Sequence, residues 1–390
     1  MERRRFLSTM CYGGLATFTA PLVRFATVPG AGRLVFVQLR GGFDGLAAVV
    51  PIGDPAYGSL RGDMAFQAAD VTTLGEGFAL APGLAPLRGL WDAEQLVALH
   101  AMAIPYRTRS HFDGQAILET GLGSPDGSAD GWLNRLLQVM EGKHSAIAVA
   151  AGMPRSLTGP FPVSTWSPAV LGAVDDAYLD RLHFLYRSNS ALLTPFEAAL
   201  MQRAQAGDMG GNAGGRQGAR ANNITSIFEA AAKLIRVPDG PNVAEVEFSG
   251  WDTHANQGMR DGLLDRQLGQ LAQGLVAFKN AMGEDWKGTT VVVMTEFGRT
   301  ARPNGSRGTD HGTAGAGFVI GSRLARSAVV SDWPGLAAGQ LFEGRDLRPT
   351  IDTRAVLKAV IEGTFDLTAA QSERVFPGSA DVAGLTNLMA

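Results

Sequence analysis

Short apolar runs, each broken off by glycine or a polar loop, alternate along this chain with stretches whose apolar residues recur at helical spacing. That alternation limits the fold more than any other feature. Leu34-Val35-Phe36-Val37-Gln38-Leu39 closes on Arg40-Gly41-Gly42 and reads as a buried strand entering a loop. Gln95 to Ala101, Ser145 to Ala151, Val243 to Phe248, Thr289 to Met294 and Gly317 to Ile320 read the same way. Between them His111 to Thr120, Asp130 to Met140, Ile224 to Leu234, Gly262 to Met282 and Thr353 to Gly363 carry helical patterns. Apolar strands alternating with helices predict an α/β domain on a mostly parallel sheet. Residues 155–205 lack clear strands and 206–221 are glycine-rich. The reading is therefore one domain over residues 27–390 with an insertion around 155–222.

Residues 1–26 have the make-up of an export signal, a basic start followed by a weakly apolar stretch too short to span a bilayer. The pattern Arg3-Arg4-Arg5-Phe6-Leu7 resembles the bacterial twin-arginine signal, so the mature chain is expected in the periplasm or secreted. No later segment is long and apolar enough for a membrane helix. A net charge of -3 offers no basic field for nucleic acid. The single cysteine, Cys11, lies in the signal, so any metal in the mature chain must be held by His, Asp and Glu.

Three acidic or histidine motifs each follow a predicted strand. They are Gly41-Gly42-Phe43-Asp44-Gly45, Trp251-Asp252-Thr253-His254 and Thr295-Glu296-Phe297-Gly298-Arg299-Thr300. In a parallel sheet the strand C-termini gather at one edge, where ligands bind, so Asp44, Asp252, His254 and Glu296 can converge. Gly308-Thr309-Asp310-His311-Gly312 adds Asp310 and His311. These ligand types suit a divalent ion: Zn²⁺, Mn²⁺, Mg²⁺ or Ca²⁺. Taken singly, an Asp after a strand is more often a helix cap or turn residue; together the motifs favour a site. His100, His144 and His183 have no acidic motif around them and read as structural.

Arg107-Thr108-Arg109-Ser110-His111-Phe112-Asp113 precedes a helical pattern. Ser110 with Asp113 fits a capping box; equally, Ser110 or His111 fits an active group at a helix start, where free N–H groups attract anions and Arg109 adds charge. Arg40 and Arg299 flank proposed acidic ligands, either to bind a phosphate or sulfate or to brace the acidic loops.

Arg40-Gly41-Gly42-Phe43-Asp44-Gly45, Arg109-Ser110-His111-Phe112, Gly250-Trp251-Asp252-Thr253-His254, Thr295-Glu296-Phe297-Gly298-Arg299-Thr300 and Gly308-Thr309-Asp310-His311-Gly312, in this order, resemble the DUF1501 family of exported bacterial proteins. That family looks like a branch of the alkaline phosphatase superfamily, which also holds the sulfatases. The resemblance implies a doubly wound sheet with helices on both faces and one or two divalent metals beside a hydroxyl nucleophile. By motif, Asp44 matches a first-strand metal ligand, Ser110 the nucleophile, and Asp252 with His254 the pair on one metal. Glu296 sits where an Asp binds a second metal, and His311 matches a late His ligand. Three departures stand out: Phe297 follows Glu296 where His is usual, Asp252 and His254 are closer than the usual Asp-x-x-x-His, and no sulfatase-type Cys/Ser-x-Pro-x-Arg occurs.

The reaction expected from this reading is metal-dependent hydrolysis of a small-molecule or polymer ester of phosphate or sulfate outside the cytoplasm. Ser110 would attack, and Arg109 or Arg299 would offset the developing charge. The competing expectations are a non-catalytic metal-binding envelope or assembly protein on the same fold, and a transferase acting on envelope polymers.

Overall fold

The computed structural model describes residues 32–127, 130–140, 144–167, 176–187, 189–190, 192–194, 196–197, 200 and 224–390. Residues 1–26, where an export signal is expected, and the glycine-rich 206–221 stretch lie outside the described residues.

The strands are β1 (Arg33–Arg40), β2 (Val49–Val50), β3 (Thr72–Gly75), β4 (Phe78–Leu80), β5 (Leu96–Ala103), β6 (Ala146–Val149), β7 (Ser164–Trp166), β8 (Val243–Ser249), β9 (Thr289–Thr295), β10 (Gly315–Gly321), β11 (Ala328–Val330) and β12 (Ile351–Asp352). The helices are α1 (Gly45–Ala48), α2 (Tyr57–Arg61), α3 (Arg88–Asp92), α4 (His111–Thr120), α5 (Trp132–Val139), α6 (Asp176–Tyr186), α7 (Ile224–Arg236), α8 (Leu263–Met282), α9 (Thr353–Phe365) and α10 (Ala369–Val375). The described residues fall into two compact units, those between 176 and 200 in one and the rest in the other. In the first lies α6, where His183 faces Glu197 at 3.2 Å.

The main sheet runs β11-β5-β10-β9-β1-β8-β6-β7, with β12 also pairing β5. Its pairings are parallel except those of β10, which is antiparallel to both β5 and β9. β1 is buried on both sides, which suits its apolar residues; Gln38, the polar residue inside the run, is buried too and bonds Glu119. Leu34 and Phe36 join a core with Trp132 and Leu136 of α5 and Val356 and Val360 of α9. Val35, Val37 and Leu39, which alternate to the other face, are equally buried. Helices therefore cover both faces and the sheet is doubly wound. Phe36 meets Trp132 edge-on at 5.3 Å, and cutting such an aromatic back to alanine costs about 3–5 kcal/mol.

Two elements depart from the sequence reading. β7 pairs in parallel with β6 and extends the sheet into the 155–205 region, where the sequence lacks clear strands. β2, β4 and β3 form a small antiparallel sheet the sequence did not announce. His100 packs as a structural residue: buried, it bonds the Val49 carbonyl at 2.9 Å through Nε2 and accepts from the Ala101 N–H at 2.8 Å. Burial lowers its pKa to about 4. No described helix is long and apolar enough to cross a membrane.

The register places the site. Leu39 pairs with Phe248 on one side and Thr295 on the other, so β1, β8 and β9 end level with one another. Gly41-Gly42, Trp251-Asp252 and Glu296-Phe297 leave the sheet along that edge. Because β10 is antiparallel, it is the loop before it, carrying Asp310 and His311, that meets this edge. The segments crowd closely: a Cβ on Gly41 (φ 125°) would lie 2.5 Å from the Asp252 amide nitrogen. Only glycine fits that backbone.

Candidate metal centre

His111 opens α4, on the segment that follows β5; Asp252 and His254 lie on the loop after β8; His311 precedes β10. One ligand atom each from His111, Asp252 and His311 lie within 4.8 Å of one another. His254 stands beside this trio rather than within it, its Nε2 2.9 Å from Asp252 Oδ1 and 3.0 Å from His311 Nε2. His111 Nε2 stands 3.0 Å from His311 Nε2.

What each ring does with its other nitrogen decides what these contacts mean. His311 Nδ1 lies 3.0 Å from the Arg109 carbonyl, an acceptor only, so that nitrogen carries the hydrogen. His111 Nδ1 lies 2.7 Å from Glu296 Oε1, and His254 Nδ1 lies 3.1 Å from Asp310 Oδ1. Facing ionised carboxylates, both are donors as well. In the neutral rings all three Nε2 atoms then hold lone pairs and converge on the Asp252 carboxylate. Lone pairs 3 Å apart repel unless a positive charge sits between them. Two can serve: an extra proton on His111, or a divalent cation. The electrostatics fit the first in the ion-free protein. The hydrogen bond to Glu296 raises the pKa of His111 despite partial burial, while burial and the neighbouring His111 lower that of His311. The donor set of three imidazoles and a carboxylate fits the second and suits zinc and its transition-metal neighbours over magnesium or calcium.

The remaining predicted residues surround this group. Glu296 is buried and does not join it. Its Oε1 accepts from the Gly41 N–H at 2.9 Å, the Gln115 amide at 3.2 Å and His111, and its Oε2 accepts from the Thr295 hydroxyl at 2.9 Å. Burial opposes its charge, but these bonds hold its pKa below the ordinary value. Such a carboxylate behind a ligating histidine fixes the ring's tautomer and raises its basicity. Asp310 plays the same part behind His254 and is itself held by the Asn304 amide at 2.9 Å, which lowers its pKa. Arg299 is buried, with bonds to Asp252 Oδ1 at 2.6 Å, the Gly41 carbonyl at 3.2 Å and Thr309. Burial disfavours the Asp252 charge, but Arg299 holds its pKa down.

Asp44 stands apart. Its side chain caps α1 by accepting from the Ala47 N–H at 3.2 Å, and its Oδ2 takes 2.7 Å bonds from both Arg61 and Gln257. The Arg61 side chain is wholly buried. Held by a guanidinium, an amide and a backbone N–H, Asp44 is not among the residues grouped with Asp252.

Ser110 is the N-cap of α4 yet makes no capping hydrogen bond. The capping-box reading is corrected: Asp113, its intended partner, takes the Tyr106 hydroxyl at 2.5 Å instead. The Arg109 guanidinium is paired with Asp346 at 2.8 Å and Glu343 at 2.6 Å, while its backbone, at φ 66°, presents the carbonyl that orients His311. A left-handed arginine is strained, and such strain persists where the surroundings enforce it. Arg40 braces Glu247, Glu119 and Gln115. Sequence reasoning missed Gln115, Gln257, Arg61 and Asn304. Of these, Gln115 lies one helical turn beyond His111, a spacing that could have pointed to it.

No curated protein matches the chain. Among solved structures it is similar to the C-terminal periplasmic domain of EcEptC from Escherichia coli in complex with Zn (10% identity, TM-score 0.36, 75% of this chain and 73% of that one). It is also similar to the PsFucS1 sulfatase from Pseudoalteromonas sp. (14%, TM-score 0.37, 93% and 72%) and to Ps i-CgsB in complex with k-i-k-neocarrahexaose (9%, TM-score 0.39, 91% and 77%). A family model described as a protein of unknown function, DUF1501, matches residues 84–376, a span that takes in His111, Asp252, His254 and His311 but not Asp44, and the chain belongs to the DUF1501 family.

Proposed function

We propose that the protein is a metal-dependent hydrolase of phosphate or sulfate esters working outside the cytoplasm, with one divalent ion held by His111, Asp252, His254 and His311. The observation that carries this reading is the set of three imidazoles, each tied at Nδ1 to an acceptor and each turning Nε2 toward the same carboxylate. Bound there, such an ion supplies Lewis-acid polarisation of an ester oxygen. Ser110, next in the chain to His111 and free of a capping bond, would be the attacking hydroxyl. The N–H groups at the start of α4 favour an anionic group beside it. Arg109 and Arg299 act by position: the Arg109 carbonyl aims His311, and the Arg299 guanidinium aims Asp252.

Elemental analysis combined with turnover on an aryl phosphate and an aryl sulfate tests the proposal. One equivalent of transition metal, activity removed by a chelator and lost in Ser110→Ala, is the expected result. Metal-loaded protein inert on a broad ester panel sinks the catalytic half and leaves a binding or assembly role, a reading favoured by the occupied state of Asp44. Adding an alcohol acceptor and analysing products separates hydrolysis from transfer.

A further inference from the structure

We infer that the turn 342–346 is the seat of His311 and that Asp346 is the positioning residue at its centre. By fixing Arg109 and Arg345, Asp346 holds the His311 ring and the His311 main chain in the one orientation that presents Nε2 to a bound ion. This role rests on the ion of the proposed function and not on its ester chemistry.

His311 is tied differently from the other two histidines. His111 and His254 each turn Nδ1 to a carboxylate, Glu296 and Asp310, whereas His311 turns it to the main-chain carbonyl of Arg109 at 3.0 Å. A carboxylate can swing to follow a ring. A carbonyl points where its peptide plane points, so the backbone of Arg109 sets the His311 ring. That backbone is left-handed, at φ 66°, which is unfavourable for a residue with a Cβ. It keeps this conformation only if the rest of Arg109 is held.

The turn 342–346 supplies that hold. It closes through the Phe342 N–H to the Asp346 carbonyl at 2.9 Å and the Asp346 N–H to the Phe342 carbonyl at 3.0 Å. It is fastened to both loops that flank the site. The Ala301 N–H donates to the Arg345 carbonyl at 3.1 Å, and the Thr313 hydroxyl to the Leu347 carbonyl at 2.9 Å. Asp346 is wholly buried. Its Oδ2 accepts from Arg109 Nε at 2.8 Å, and its Oδ1 faces the Arg345 guanidinium at 3.2 Å. Arg345 in turn donates to the His311 carbonyl at 2.9 Å. One carboxylate therefore holds both arginines, and each arginine holds His311, one through the ring and one through the main chain. Glu343 also pairs with Arg109, but its side chain is 58% exposed, so water and salt weaken that contact. Of the two acids on Arg109, the buried one fixes it.

The test is read first without any ion, from the ring-nitrogen NMR signals of His311 at about pH 8, where an imidazole is neutral, and then by zinc titration against a competing chelator. In the wild type the ring hydrogen sits on Nδ1. Asp346→Ala should release Arg109, let the ring populate both tautomers and weaken zinc about tenfold, the lower end of the cost of losing an outer partner. Asp346→Asn keeps an oxygen for Arg109 Nε and should restore the tautomer and most of the affinity, a rescue that a loss of packing alone would not give. Glu343→Gln should change neither readout. If Asp346→Ala does not fold, Arg345→Ala is read in its place. It strands no buried carboxylate, because Arg109 still holds Asp346, and it should shift the His311 signals and weaken zinc in the same direction. A folded Asp346→Ala with the wild-type tautomer and zinc affinity overturns the inference, as does a Glu343→Gln that loses as much zinc affinity as Asp346→Ala. Wild-type protein that binds no zinc removes the ion, while the tautomer still decides whether Asp346 seats His311. An inert ester panel affects neither readout.

Discussion

Glu296→Gln isolates the part Glu296 plays behind His111. The side chain accepts three bonds at Oε1 and one, from Thr295, at Oε2. A glutamine can keep its oxygen toward the three donors and turn its amide toward the Thr295 hydroxyl, which can rotate to accept. The packing survives while the negative charge behind His111 disappears. Removing an outer partner of this kind weakens an ion by about 10–100-fold. At a free-ion concentration of a hundred times the wild-type Kd, binding stabilises the wild type by about 2.7 kcal/mol. At the same concentration the variant gains only about 1.4 kcal/mol for a tenfold loss of affinity and about 0.4 kcal/mol for a hundredfold loss. The assay is urea unfolding with and without zinc. The ion-dependent increment, not the absolute stability, is the readout, so any cost to the ion-free fold cancels. An increment within about 0.3 kcal/mol of the wild type, below the usual non-additivity of neighbouring sites, would refute the assignment of His111 as an ion ligand tuned by Glu296.

The ion-free protein should lose stability as pH rises through the folded pKa of His111. Glu296 raises that pKa above 6.5, so the protonated pair's contribution is full below 6.5, fades as pH rises from there to the folded value and is gone above it, while ion affinity climbs over the same window; thermal unfolding with and without zinc across pH 5.5–8.5 follows both. Arg61→Ala should cost about 3–5 kcal/mol in urea unfolding, because it strands a buried carboxylate, whereas Asp44→Asn with Arg61→Met should recover most of that loss, and bound metal per chain should stay the same. Glu245, buried and with its pKa driven well above 4.5 by burial, keeps a proton on folding that the unfolded chain releases. Stability should therefore fall as pH rises beyond 4.5, and Glu245→Gln should flatten that slope and match or exceed the wild type at pH 8, as read by thermal unfolding.

The large strands were legible because strands buried on both faces are mostly apolar: β1, β5 and β9 are long enough to show it, and β8 shows it less, being interrupted by Glu245 and Glu247. β2, β7 and β11 are two or three residues long, and β11 and part of β7 are only half-buried, so they leave no periodic trace. For the site, the sequence yielded which residues reach one edge, since that follows from strand order and loop position. It could not yield which way each side chain faces. Asp44 turns to Arg61 and Gln257, the latter 213 residues away, and Glu296 turns to His111, 185 residues back. Those choices are made by partners brought in by tertiary packing, and no local spacing encodes them. His111 was readable as an active residue beside Ser110, but its place in the cluster depends on where the start of α4 meets the loop before an antiparallel strand.

The antiparallel run of β10 has a mechanical consequence. By bringing its preceding loop to the edge where the other strands finish, it sets His311 against His111, which comes 200 residues earlier. An ion clasping both, with the 252–254 loop between, would act as a cross-link. It would close a ring of half the chain, and closure entropy grows only slowly with ring size. Without the clasp the sheet keeps its own hydrogen bonds, while the loops around residues 254–260 and 303–308 lose a tether. Loss of metal should therefore show first as protease cutting in those loops, well before the strands melt.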